Sequence, residues 1–260
     1  MIVSCVQMDM ALGKPEENFA LAEKLILQAA EKKPDVIVLP ETWNVGFFPK
    51  EHLAEHSDRD CSAVKERIGA LAEKLRINIV AGSVANVRDG KVYNTACVFD
   101  RTGECIAQYD KTHLFSYQDE DKFYTPGDSL CTFSLDGVKC GLVICYDIRF
   151  PELTRTLALR GVEVLFVPAQ WPAVRRYPWE TLLAARAIEN QFFVAACNSC
   201  ASDTQCGGSS RILDPFGAVL AAADNDETIL TAALDLGMVA DARAKITVYR
   251  DRRPELYQIK

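Results

Sequence analysis

The chain has no block of Lys or Arg, no linker rich in Gly, Ser or Pro, and only three histidines in 260 residues. It also lacks any apolar run near the roughly 18–20 residues of a membrane span. Each lack removes a class of function. Nucleic-acid binding draws its affinity from dense cationic contacts, whereas here 29 Lys and Arg are scattered through a chain of formal net charge −7. Neither a nucleic-acid partner nor a membrane partner is expected. An anionic mean field does not exclude an anionic small substrate, because local arginines can outweigh it. With no linker and no internal repeat, a single domain over residues 1–260 is expected.

Cysteine is not scarce: there are ten. They are diluted in a large chain, and Cys97, Cys105, Cys131, Cys140 and Cys197 sit inside apolar stretches. That distribution suits free thiols in a reducing compartment better than a disulfide framework. The opening MIVSCVQM reads as a core strand and not as a targeting segment. The expected location is the cytoplasm.

Short β-branched runs alternate with amphipathic segments. IVSCVQM precedes a helix over 14–33, with a proline and acids in its first turn and lysines in its last. DVIVLPE reads as a strand ending in Glu41. Val64, Ile68, Leu71 and Leu75 recur at helical spacing before the strand INIVAGSV. Hairpins are expected around Arg101–Gly103 and Asp136-Gly137. Helices at 152–160 and 179–191 flank the strand VEVLFVPAQ; strand FFVAACN, hairpin RILDPFGAVLAAA and strand TILTAALD follow. Hairpins together with crossovers predict an α/β domain with mixed sheets.

Polar residues close several strands: Glu41, Lys111, Cys145, Gln170 and Asn198. Ligands of α/β proteins gather beyond strand ends. Cys145 stands where a strand breaks into Tyr-Asp-Ile-Arg-Phe-Pro-Glu, a turn that can hold a nucleophile exposed and rigid, with a helix N-terminus near enough to favour thiolate. Of the histidines, only His113 lies near these positions. Glu41 is then the alternative base, taking the thiol proton on attack and activating water for deacylation. Lys111 and a backbone N–H beside Cys145 would face the developing oxyanion.

VLPE (38–41), YDKTHLF (109–115) and CYDIRFPEL (145–153), in this order and spacing, resemble the nitrilase superfamily of carbon–nitrogen hydrolases. The likeness extends from VQM to DPFG. It implies a four-layer α-β-β-α sandwich with two mixed sheets, often dimerised through extended sheets, and no metal or organic cofactor. It also implies Glu41 as general base, Lys111 as oxyanion stabiliser and Cys145 as nucleophile. A second glutamate orienting the lysine matches Glu120, with Asp119 as the other register. HLF, CYDIRFPEL and ARAIEN look closest to ω-amidase-like members, which implies a 2-oxo acid monoamide substrate. Arg149 is then a candidate partner for the substrate carboxylate, with the Arg175-Arg176 pair as another. Tyr146 would supply the backbone donor beside the nucleophile, and Phe115 and Trp171 would wall the pocket. An N-carbamoyl amino acid amidohydrolase and an aliphatic nitrilase are the alternatives within the superfamily.

Two positions depart from the family pattern. Asp110 precedes the lysine where many members have Arg, and the loop QWPAVRRYPW replaces a Thr-Gly-Pro-Ala-His-Trp-like segment, keeping only Trp179. From other classes, Cys197 and Cys200 with Cys206 have the close spacing of zinc ligands, and a catalytically silent binding protein could share the fold. HLAEH, with His52 and His56, lacks the glutamate of the zinc-protease motif.

Overall fold

The structure, a computed structural model, describes residues 1–47, 49–200 and 205–257. The chain begins with β1 (Ile2–Gln7), crosses through α1 (Pro15–Ala30) to β2 (Val36–Val38), and passes the short α2 (Leu53–His56) and β3 (Asp58–Arg59). Helix α3 (Ser62–Leu75) then leads into β4 (Asn78–Arg88), β5 (Lys91–Phe99) and β6 (Cys105–Asp110). With β13 (Thr228–Ala233) at the far edge, these strands form one sheet in the order β13-β1-β2-β4-β5-β6, with β3 on β4. A single helical turn, α4 (Glu120–Phe123), precedes the second sheet. That sheet is built from β7 (Cys131–Leu135), β8 (Val138–Leu142), β9 (Val164–Ala169), β10 (Phe193–Asn198), β11 (Arg211–Leu213) and β12 (Val219–Ala222). Helices α5 (Pro151–Leu159) and α6 (Arg176–Asn190) cover it, and α7 (Gly237–Lys245) follows β13.

Both sheets are mixed. Pairings β1–β2, β2–β4, β8–β9 and β9–β10 are parallel, while β1–β13, β4–β5, β5–β6, β7–β8, β10–β11 and β11–β12 are antiparallel. Alternation along the strands sets the layers. Val3, Cys5, Val36, Val38 and Val80 face the second sheet, whereas Val6, Ile37, Ile79 and Ala81 face α1 and α3. The thiol of Cys197 on β10 reaches across to the carbonyls of Val6 and Val38 at 3.2 and 3.3 Å. The four-layer α-β-β-α architecture results.

Some boundaries differ from the sequence reading. Helix α1 stops at Ala30, so the lysines expected in its last turn lie past its end; Lys32 donates instead to the Ile229 carbonyl. The hydrogen-bonded part of the second strand is only Val36–Val38, and Glu41 lies beyond it. β4 runs on to Arg88 and turns into β5 through Asp89-Gly90, both at positive φ. That makes a further hairpin, of the Asp-Gly kind favoured by the twist of paired strands. Helix α6 starts at Arg176, ahead of the expected 179.

Candidate active site

Glu41 is placed by a bulge in the neighbouring strand. The β4–β5 register shifts between Val80 and Ser83, and Gly82 there has φ +59. A Cβ at Gly82 would stand 2.0 Å from the Pro40 carbonyl, so only glycine lets the two backbones approach. The same bulge presents Ser83, whose N–H donates to Pro40 O and whose Oγ accepts from Thr42 N. Lys111 follows β6 directly, its N–H donating to Asn94 O and its carbonyl accepting from Gly127 N. Asp110 accepts from Arg88 and from the Thr95 hydroxyl, each at 2.6 Å. The acid that departs from the family pattern therefore ties β6 to β4 and β5.

β8 ends at Leu142, and Cys145 opens a 3-10 turn over Cys145–Arg149 with φ +46, a left-handed conformation costly for a non-glycine residue. Asp147 holds that turn. Its buried carboxylate accepts from Ile144 N (2.9 Å), the Tyr109 and Thr112 hydroxyls (2.8 and 3.1 Å), His113 N (3.0 Å) and His113 Nδ1 (2.8 Å). Asp147 thus fastens the nucleophile turn to the segment that carries Lys111.

The structure brings Glu41, Lys111, Glu120 and Cys145 together, all buried. Lys111 Nζ donates to Glu41 Oε1 at 2.7 Å and to both Glu120 oxygens at 2.9 and 2.8 Å. Asn94 Nδ2 donates to both carboxylates, Gln170 N to Glu41 Oε2 at 2.8 Å, and Phe115 N to Glu120 Oε2 at 2.6 Å. The other register, Asp119, is half-buried and pairs with Lys50 and Lys122. Two carboxylates around one ammonium leave a negative charge over, so the cluster can accept a proton.

Burial by itself would lower the Lys111 pKa, but Glu120 and Glu41 outweigh it and hold the ammonium well above its ordinary range. Burial pushes the Glu120 carboxyl up, with Lys111 opposing. Burial and then the Glu41 charge push the Cys145 thiol well above its usual value, with Lys111 only partly offsetting them. Burial and the Glu41 charge thus act against the thiolate that a helix N-terminus would favour, which suits removal of the thiol proton by a neighbouring base during attack.

A narrow pocket opens onto Cys145 and Lys111. Phe115, Tyr146, Arg149, Trp171 and Arg175 line it. The neighbouring Arg176 turns away, donating to Gly207 O and to the Asn225 side chain. Trp179 packs behind, 5.3 Å from the Trp171 ring. Beside Gln170, the lining also takes in Phe47, Gln118 and Pro172. These three, with Asn94 and Asp147, are not singled out by the sequence reading. The available signal for Asn94 was an amide in a strand at a core-facing position, where its polarity requires partners.

The candidate zinc thiols diverge. Cys197 points to the carbonyls of Val6 and Val38, Cys200 approaches Gln7 O, and Cys206 faces the Gln170 side chain. Among the described residues no group of three or more His, Cys, Asp or Glu could hold a metal. His52 is exposed beside Glu55, away from the pocket.

The profile of the carbon–nitrogen hydrolases matches residues 2–244. A 2-oxoglutaramate amidase of Bacillus subtilis is 44% identical over 98% of both chains. An omega-amidase of Homo sapiens is 32% identical, with 94% of this chain and 92% of the human protein aligned. The crystal structure of a nitrilase-superfamily member from Saccharomyces cerevisiae superposes with a TM-score of 0.90 at 26% identity, covering 97% of this chain and 96% of that one. Sequence and fold agree over nearly the full length, and the chain belongs to the carbon–nitrogen hydrolase family.

Proposed function

We propose that this chain hydrolyses the terminal carboxamide of a small 2-oxo acid monoamide to the acid and ammonia, through a thioester on Cys145. One observation carries the chemistry. The Glu41 carboxylate is fixed by Lys111, Asn94 and Gln170 beside a thiol whose own ionisation is suppressed. As Cys145 Sγ attacks the amide carbon, Glu41 takes the thiol proton. Lys111 and the backbone N–H of Tyr146 stabilise the charge that develops on the carbonyl oxygen. Glu41 then delivers the proton to the leaving nitrogen, the C–N bond breaks, and ammonia departs. Water, deprotonated by Glu41, attacks the thioester; the C–S bond breaks and the proton returns to sulfur. Glu120 keeps Lys111 charged and oriented.

The substrate class is supported by the Bacillus subtilis relative and by Arg149, which lines the pocket and has no acidic partner among the described residues. A guanidinium fork suits a carboxylate, and Phe115 and Trp171 would enclose the chain between carboxylate and amide. The test is ammonia release from 2-oxo acid monoamides, asparagine, glutamine, N-carbamoyl amino acids and simple nitriles. The 2-oxo acid monoamides should give the highest kcat/KM, and Cys145→Ala should abolish turnover with an unaltered circular dichroism spectrum. Full activity in that variant would remove Cys145 from the mechanism.

Two further parts of the reading are proposed with it. A cytoplasmic setting is supported by ten cysteines that are all free. A homodimer formed by sheet extension is supported by β12 and β13, which lie at sheet edges, and by the exposed Val219 and Leu220 on β12. No helix among the described residues is long and apolar enough to cross a membrane.

A further inference from the structure

Donors are shared unevenly among the four oxygens of Glu41 and Glu120. Glu120 Oε1 accepts from Lys111 Nζ and Asn94 Nδ2, and Glu120 Oε2 from Lys111 Nζ and Phe115 N. Glu41 Oε1 accepts from Lys111 Nζ at 2.7 Å and from Asn94 Nδ2 at 2.9 Å. Glu41 Oε2 has a single donor among the described residues, Gln170 N at 2.8 Å. Of the four oxygens it is the least occupied, and so the one with room for a proton.

Strand pairing puts Asn94 in this position. Thr95 on β5 lies opposite Asp110 on β6, so their neighbours Asn94 and Lys111 meet, and Lys111 N donates to Asn94 O at 2.9 Å. The Asn94 side chain is buried, and its Oδ1 has no hydrogen-bond partner among the described residues. Turned over, the amide would set Oδ1 against two carboxylates, so the orientation is dictated by charge. A buried acceptor left unpaired costs stability. The fold tolerates that loss and thereby brings one NH2 group to two carboxylates.

The three contacts of the Lys111 ammonium can occupy all three of its N–H groups. To reach an oxyanion Lys111 must release one of them, and its hold on Glu41 weakens once Glu41 carries a proton. Asn94 Nδ2 shares two acceptors with Lys111, Glu41 Oε1 and Glu120 Oε1, and it stays on both when the ammonium turns. Building on the amidase reading above, we infer that Asn94 is the positioning residue of this cluster, holding the two carboxylates in register so that Glu41 Oε2 is the oxygen that takes the thiol proton. In that step the S–H bond breaks, its electron pair forms the C–S bond, and the proton bonds to Oε2. Lys111 then turns one N–H from Glu41 to the carbonyl oxygen.

Two hydrogen bonds to carboxylates also favour their ionised form. The other groups facing them are Lys111, which favours the anions, and Cys145 and Tyr124, whose thiol and hydroxyl are pushed up by burial and by the carboxylate charges. Without the Asn94 donors the cluster should take up a proton at higher pH. Asn94→Leu, close in size and without donors, tests this. On the best amide of the panel above, kcat should fall about 10- to 100-fold, with KM little changed because Asn94 does not line the pocket. The acid limb of kcat/KM should move up by about one pH unit. Infrared difference spectra across pH read the same proton uptake without substrate, on the carboxylic acid band assigned through Glu41→Gln and Glu120→Gln. Should Asn94→Leu fail to fold, Asn94→Ser, with one O–H in place of two N–H groups, should move both midpoints in the same direction. An infrared midpoint left unmoved, whatever the loss in kcat, would overturn the assignment and leave Asn94 a packing residue. A KM rising as far as kcat falls would also overturn it. If no amide in the panel is hydrolysed, the amidase reading fails, and the infrared midpoints still decide the role of Asn94.

Discussion

Glu41 opposes the ionisation of the thiol it is placed to deprotonate. Burial is the larger cause of the raised Cys145 pKa and the Glu41 charge the next; Lys111 acts in the other direction. Glu41→Gln removes an anion beside the thiol, so thiolate should appear at lower pH than in the unaltered protein. Lys111→Met removes a cation, so thiolate should appear at higher pH. Turnover should nevertheless fall in both, by about 100- to 10,000-fold for the lost base. Peptide-resolved mass spectrometry of Cys145 alkylation by a small neutral reagent, followed across pH, reads the two midpoints. Midpoints moving the same way in both variants would contradict this electrostatic account. Cys140 is the internal comparison, a thiol pushed up to about 12 chiefly by burial, and it should stay unlabelled. At this scale the sequence announces Glu41, Lys111 and Cys145 because each sits in a short motif. It is silent on Asn94, whose amide matters only because folding brings it to Glu41 and Glu120 at once.

Element positions were legible wherever apolar period and turn chemistry agreed, as in the hairpin at Asp136-Gly137. They were less so where the determinant is a contact between remote segments. The end of α1 and the brevity of β2 are cases in point, as is the bulge at Gly82 that turns the chain at Glu41. The Cys145 turn belongs to the same group: its sharpness shows in the sequence, but its anchor at Asp147 does not. In Asp147→Asn, an NH2 group replaces one of the two oxygens, of which Oδ2 accepts from Ile144 N and Oδ1 from His113 N. That leaves a buried donor against donors and should cost about 1–3 kcal/mol of stability. Since Lys111 and Cys145 are registered through this carboxylate, kcat should fall at least about tenfold while KM moves little. The pairing of urea unfolding with steady-state kinetics checks it; a stability loss with unaltered kcat would make Asp147 a fold residue only.

On the scale of the whole molecule the site is a seam between two sheets. Glu41 and Lys111 follow strands of one sheet, Cys145 and Gln170 strands of the other. The seam is closed by Glu41 N donating to Ala169 O and by the Gln170 side chain donating to Glu41 O. Such a site exists only while the sheets stay docked, so activity should report the inter-sheet core. Phe166 on β9 is fully buried in the cluster that spans both sheets, far from any titratable role. Phe166→Ala should lower stability by about 3–5 kcal/mol through lost burial and the cavity left behind. If residues 1–260 form one cooperative unit, ammonia release and near-ultraviolet circular dichroism should be lost at the same urea concentration. Both should shift down together in the variant. Repeating the titration at tenfold lower protein should lower the common midpoint if the folded form is the dimer, because dissociation is then linked to unfolding. Activity lost well before the dichroism signal would instead mean that the seam opens locally, with the sheets still folded.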